Sequence, residues 1–175
     1  MRTKMWSPAV QTALLLLVLL GCKKTETVDP VALPSAVGNW KITALTFDPV
    51  WAAPSGANTI PVSDWVPYLK GNKETCLTDV TLTFGTNGSA TTNAASTATC
   101  TSANDSRGFL DFLFEPGGTF AETDNQLTLY GKDKLRALTL TKSVAGNTMN
   151  IAFQDNVDFS NRPIKTTYTL KLVRQ

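Results

Sequence analysis

Val80-Thr81-Leu82-Thr83-Phe84-Gly85-Thr86-Asn87-Gly88 decides the fold, because apolar and β-branched polar residues alternate up to Phe84 and turn-forming residues follow at once. Successive side chains of a strand point to opposite faces. Val80, Leu82 and Phe84 therefore share one face, and Thr81 and Thr83 share the other, where a β-branched hydroxyl suits a pleated surface touching water. Asn87-Gly88 is hairpin chemistry, so the chain returns as a second strand through Thr91. The same period of two recurs down the chain. Leu127 and Leu129 flank Thr128, and Leu138 and Leu140 flank Thr139. Met149, Ile151 and Phe153 alternate with Asn150 and Ala152, and Tyr168, Leu170 and Leu172 alternate with Thr169 and Lys171. Turn signals separate these runs at Thr123-Asp124-Asn125, Gly131-Lys132-Asp133, Ala145-Gly146-Asn147 and Asn161-Arg162-Pro163.

Counting outward, a strand near Asn39 to Phe47 and the hairpin strands near Thr78 to Phe84 and Ser89 to Ala94 bring the expected total to eight. The connections are short. Parallel crossovers need a dozen or more residues each, so the order expected is an antiparallel meander. Eight one-faced strands close into an up-and-down β-barrel whose interior holds side chains or one small ligand. A two-sheet β-sandwich is the alternative that the same strands allow.

The 175 residues are 42% apolar and 17% charged, which suits one globular domain and excludes a disordered chain. Histidine is absent. That removes Ser-His-Asp and Cys-His catalysis, His-ligated zinc and imidazole general bases, so a binding protein and not an enzyme is expected. Asp105, Asp111, Glu115, Glu122 and Asp124 have no calcium-loop spacing and read as solvated surface carboxylates. Gly117-Gly118 lacks the strand-to-helix setting of a phosphate cradle. No metal or other cofactor is implied. Lys+Arg 16 against Asp+Glu 14 gives +2, and loss of Arg2 and Lys4 with a leader would leave the two signs balanced. A near-neutral chain has no basic footprint for nucleic acid.

Arg2 and Lys4, the apolar run Ala13 to Leu20, and then Gly21 and Cys22 stand in the order of a secretory signal. Eight apolar residues reach about 12 Å as a helix, too short for a hydrocarbon core of roughly 30 Å. Leu19-Leu20-Gly21-Cys22 resembles the lipobox of bacterial lipoproteins. The resemblance implies cleavage after residue 21, acylation of Cys22 and attachment to a membrane through that lipid anchor. Lys23 after the cysteine implies the outer membrane of the cell envelope, facing periplasm or cell surface. Residues 22–36 then serve as anchor and extended tether, since Pro30 and Pro34 discourage a helix. Residues 37–175 form the domain. With Cys22 acylated, Cys76 and Cys100 remain as an even pair in an oxidising compartment, and a structural disulfide between them is expected to contribute about 3 kcal/mol.

Two stretches fall outside the meander. Asp48 to Glu74 carries Pro49, Pro54, Pro61 and Pro67 among Trp51, Trp65 and Tyr68, with Ser63-Asp64 placed to cap a short helical turn. It is too long for a plain hairpin loop, and its aromatics suit either fastening the loop to the barrel or lining a barrel mouth. Thr101 to Gly117 contains Phe109-Leu110-Asp111-Phe112-Leu113-Phe114, which has neither a clean strand nor a clean helix period. Edge strand, hydrophobic flap and partner-docking surface all remain open for it, beside burial in the core.

Gly38-Asn39-Trp40 opening the first strand resembles the GxW motif of lipocalins. Asp48-Pro49, the long loop ending in Cys76, Asp79, the Thr-Phe strand with Asn87-Gly88, Cys100, Gly118-Thr119-Phe120 and the closing Tyr168-Thr169-Leu170-Lys171 extend it over Val37 to Val173. Together these are similar to lipocalin-like domain lipoproteins of Gram-negative envelopes. The resemblance implies a small barrel with Trp40 as the plug of its closed end, Arg174 packed over that tryptophan, and an internal pocket. The function expected is binding of a small apolar or amphipathic ligand, with Trp51, Trp65 and Tyr68 as rim contacts. The alternative is a scaffold or interaction module that presents loops to an envelope protein or glycan; the identity of any protein partner is left open.

Overall fold

The computed structural model describes residues 35–157 and 164–175. The expected leader of residues 1–21, Cys22, the tether as far as Pro34 and the turn at Asn161-Arg162-Pro163 lie outside the described residues. Those described form an antiparallel sheet of β1 (Gly38–Ser55), β2 (Asn58–Asp64), β3 (Thr81–Phe84), β4 (Ala90–Thr92), β5 (Thr119–Glu122), β6 (Gln126–Tyr130), β7 (Ala137–Ala145), β8 (Thr148–Val157) and β9 (Ile164–Arg174). Eight of these follow the order β4-β3-β1-β9-β8-β7-β6-β5, with β2 paired to the outer part of β1.

Neighbours along that path are successive in the chain except for β3 and β1, between which β2 intervenes, and β1 and β9, whose pairing joins the two ends of the domain. At the path's own ends, β4 and β5 touch through one bridge, Ser89 to Thr119. There the Phe120 N–H donates to the Gly88 carbonyl (2.7 Å) and the Ala90 N–H to the Gly118 carbonyl (3.2 Å). The result is a nearly closed barrel with one unsealed seam, which is the expected meander and not two stacked sheets.

Alternation explains which residues turn inward. Trp40 and Ile42 are buried on β1, and then the register against β9 slips between Ile42 and Ala44. The extra residue, Thr43, lies on the outside, and the buried set continues in odd register as Leu45 and Phe47. Leu45 faces Leu170, and Ile42 faces Leu172. Trp40, Leu82, Phe84, Leu127, Leu140, Met149, Ile151 and Leu170 are all fully buried, so side chains from nearly every strand meet in one interior cluster. At Gly38 a side chain is doubly excluded. Its φ of +138° suits glycine, and a Cβ would stand 2.7 Å from an Arg174 guanidinium nitrogen.

Both irregular stretches acquire structure that their sequences concealed. Asp48 to Glu74 is a ribbon and not a loop: β1 continues to Ser55, turns at Gly56 (φ +61°) and returns as β2, before the short helix α1 (Trp65–Gly71). Its prolines mislead because an outlying two-stranded ribbon tolerates residues without an N–H. The expected helical start is present, with the Asp64 carboxylate accepting the Val66 N–H (3.0 Å) and also the Leu45 N–H (3.1 Å) of β1. Cys76–Asp79 forms a single turn, α2, so β3 begins at Thr81 and not near Thr78. Thr101 to Gly117 contains the helix α3 (Asp105–Leu113). Ser106, Leu110 and Leu113 face the core at helical spacing, whereas Phe112 is 42% exposed; that outward ring broke the apparent period.

Candidate functional site

Trp40 and Trp51 stand near opposite ends of β1, separated by roughly 35 Å of strand at about 3.3 Å per residue. Each end gathers its own set of side chains. At the Trp40 end the segment Ser35-Ala36-Val37 is gripped by three residues, Trp40 close by in the chain and Glu122 and Arg174 far from it. The Trp40 Nε1–H donates to the Ala36 carbonyl (2.7 Å), while Arg174 donates to the carbonyls of Val37 (2.7 Å) and Ser35 (3.2 Å). The Arg174 guanidinium also lies over the Trp40 ring, 4.5 Å from its centroid. Glu122 on β5 accepts the Ser35 hydroxyl and the Ala36 N–H (2.8 Å).

Glu122 is itself held by Lys142 of β7 at 2.5 Å, and the lysine side chain is only 1% exposed. Burial pushes the Glu122 carboxyl up, but the hydrogen bonds from Lys142, Ser35 and the Ala36 N–H outweigh it, leaving the group below its ordinary value. This arrangement corrects the sequence reading of Glu122 as a solvated carboxylate. Its signal was indirect: Lys142 occupies an inward position of β7, two residues after Leu140, where a cation requires a partner.

The opposite end is aromatic. Phe47 of β1 meets Trp51 (ring centroids 6.0 Å apart), Trp65 (6.1 Å) and Tyr168 of β9 (5.4 Å), all edge to face. Trp51 also contacts Trp65 (6.1 Å) and Tyr68 (5.5 Å). Thus the structure brings the three expected rim residues, Trp51, Trp65 and Tyr68, into one cluster. Phe109 of α3 joins it against Trp65 (6.0 Å), and Phe153 of β8 stacks on Tyr168 at 4.9 Å. Sequence reading had no means of adding Phe109, Phe153 and Tyr168 to the set, because their meeting depends on α3 reaching β8 and β9.

Within this cluster Trp51, Trp65, Tyr68 and Phe109 are half-buried, in contrast to the fully buried Trp40. The Trp65 Nε1 is shut off from solvent, and among the described residues no acceptor stands within hydrogen-bond reach of it. Nearby, β7 and β8 stop pairing beyond Thr141 and Ala152. A groove of about 420 Å³ lies there, lined by Thr139, Thr141, Gln154 and Thr167 with Phe153 beneath.

The segments covering this end are fastened to one another. Cys76 and Cys100 form the expected disulfide, 24 residues apart in sequence. It joins the turn after α1 to the approach to α3. The Ser106 hydroxyl, fully buried, donates to Glu74 and reinforces the same junction. Beyond α3, the Arg136 guanidinium stacks 4.2 Å over the Phe112 ring and donates to the Phe112 carbonyl. Among the described residues no group of three His, Cys, Asp or Glu side chains is placed to hold a metal ion. No helix among them is long and apolar enough to cross a membrane. The chain matches no protein-family profile, no curated protein and no solved structure.

Proposed function

We propose that this is a lipid-anchored protein of the cell envelope whose lipocalin-like barrel binds a small apolar or amphipathic molecule at its aromatic end. The observation that carries the binding half is the half-buried cluster around Trp51, Trp65 and Tyr68, with a buried donor that has no acceptor among the described residues. Ligand sites favour aromatic linings with a few polar groups, and barrel mouths are common places for them. The site so proposed is shallow, since the interior below it is filled by Leu45, Ile151 and Leu170. The anchoring half rests on the order of charge, apolar run and cysteine up to Cys22. The role proposed is that of a binder and not of a catalyst.

Two experiments test the reading. Mass spectrometry of the protein from its native membrane is expected to find Cys22 acylated and first in the chain. Titration with a naphthalene-class fluorophore is expected to quench the tryptophan emission through Trp51 and Trp65. An unmodified Cys22 would end the anchoring half, and emission indifferent to every apolar probe would end the binding half.

A second reading, an interaction module, is favoured by one observation. Phe112 is 42% exposed and Leu135 88% exposed, each next to or against Arg136. Crosslinking from position 135 in intact cells would capture one defined envelope protein under that reading and nothing reproducible under the first.

A further inference from the structure

We infer that the molecule bound at the aromatic end carries an uncharged hydrogen-bond acceptor, such as a ketone, ester or amide oxygen, which meets the Trp65 indole N–H. The inference rests on the ligand-binding reading above and narrows its chemistry. Its starting point is the contrast between two indoles of one barrel: Trp40 donates to the Ala36 carbonyl at 2.7 Å, whereas the buried Trp65 Nε1 has no acceptor among the described residues. An indole has one donor and no acceptor, so an incoming acceptor satisfies it, and because the nitrogen has no exposed surface the rings packed on Trp65 part as the ligand enters. Leaving such a donor buried and unmatched is costly on the scale of a whole hydrogen bond.

The rings around it supply the rest of the specificity. Phe47, Trp51 and Phe109 stand edge to face with Trp65 at 61°, 82° and 89°, a setting that accepts a flat or branched apolar body. Charge decides against an anionic acceptor. None of these rings brings a cation, and the carboxylate of Asp64 immediately precedes Trp65, where it already serves the N–H groups of Val66 and Leu45. A ligand carboxylate would have to leave water for a setting whose described ring contacts include no cation to receive it, whereas a neutral carbonyl gives up far less hydration.

Three probes of nearly equal size separate these chemistries: 2-acetylnaphthalene, 2-ethylnaphthalene and 2-naphthoate. Titrated into the purified protein labelled with ¹⁵N at its indoles, the ketone is expected to bind about tenfold more tightly than the hydrocarbon, the worth of about 1.4 kcal/mol. The ketone alone should move the Trp65 indole proton downfield, leaving that of Trp40 in place, and the naphthoate should bind more weakly than the ketone. In Trp65→Phe the ratio between ketone and hydrocarbon should fall to about one. Equal affinities with an unmoved Trp65 signal would overturn the acceptor inference while leaving an apolar site standing. Tighter binding of the naphthoate would overturn its uncharged character. Failure of all three probes to bind would overturn both the inference and the binding reading beneath it. Because the indole signals are read in the unaltered protein, the test stands even if the variant does not fold.

Discussion

Trp40 belongs to β1 and Trp65 packs on Phe47 of the same strand, and the two ends of the barrel treat these indoles in opposite ways. Trp40 is fully buried, its N–H is bonded and its ring is covered by Arg174. Trp65 is half-buried, ringed by other aromatics, and its N–H has no acceptor among the described residues. Around Trp40 the polar groups form a connected set: Glu122, Lys142, Arg174 and the backbone of residues 35–37 satisfy one another. Around Trp65 the contacts with Phe47, Trp51 and Phe109 are ring against ring, and a disulfide outside the cluster ties the neighbouring segments together. An end whose polar groups are complete is suited to holding the fold shut, and an end with a spare donor and partly open apolar faces is suited to receiving something.

Removing the plug should have the largest effect. Trp40→Ala is expected to destabilise by about 4 kcal/mol in urea unfolding, combining a large cavity with the loss of the donor to Ala36. A loss under 2 kcal/mol would mean that this end is less cohesive than described. The double change Cys76→Ser, Cys100→Ser should cost about 3 kcal/mol through a looser unfolded chain. It should also lower ligand affinity at the aromatic end, because the bridge joins the segments that carry Trp65 and Phe109.

Glu122→Ala should cost about 2 kcal/mol near neutral pH, since it removes the carboxylate paired with the buried Lys142 ammonium and the acceptor of the Ser35 and Ala36 hydrogen bonds. This contribution depends on pH in a defined direction. The carboxyl of Glu122 sits below its ordinary value of about 4.5 in the folded protein, so its stabilisation is complete above that value and fades as pH falls through the lowered one. Unfolding curves of wild type and Glu122→Gln measured from pH 7 to pH 2 should therefore converge at the acid end; a constant gap would separate the ion pair from the stability of this end.

The smallest effects give the sharpest contrast. Trp40→Phe removes a made hydrogen bond and strands a buried carbonyl, at about 2 kcal/mol. Trp65→Phe removes a donor that has no acceptor among the described residues and should stay within about 1 kcal/mol of wild type. Equal losses would erase the distinction between the ends.

The wall of the barrel was legible because period-two patterning is a local property: Val80 to Phe84 and Tyr168 to Leu172 each show their inward face without reference to any other segment. The disulfide was legible by counting cysteines. Trp51, Trp65 and Tyr68 stood out as aromatics in one proline-rich stretch, but their partners Phe109, Phe153 and Tyr168 come from three other elements and are joined only by packing. Helix α3 was concealed because Phe109 and Phe112 serve two different surfaces, which blurs a helical stripe over nine residues. The Glu122–Lys142 pair was concealed for the opposite reason. Each residue is ordinary alone, and only the register that places β5 beside β6 and β6 beside β7 brings them together.

Hydrogen exchange at the two indole nitrogens, followed by NMR under native conditions, tests the difference between the ends most directly. A bonded, fully buried N–H exchanges only when its surroundings open, whereas an unbonded one in a half-buried cluster needs a smaller fluctuation. The Trp40 Nε1–H should exchange at the rate of global unfolding, and that of Trp65 about a hundredfold faster or more. Equal protection of the two, or faster exchange at Trp40, would contradict the account of one sealed end and one receptive end.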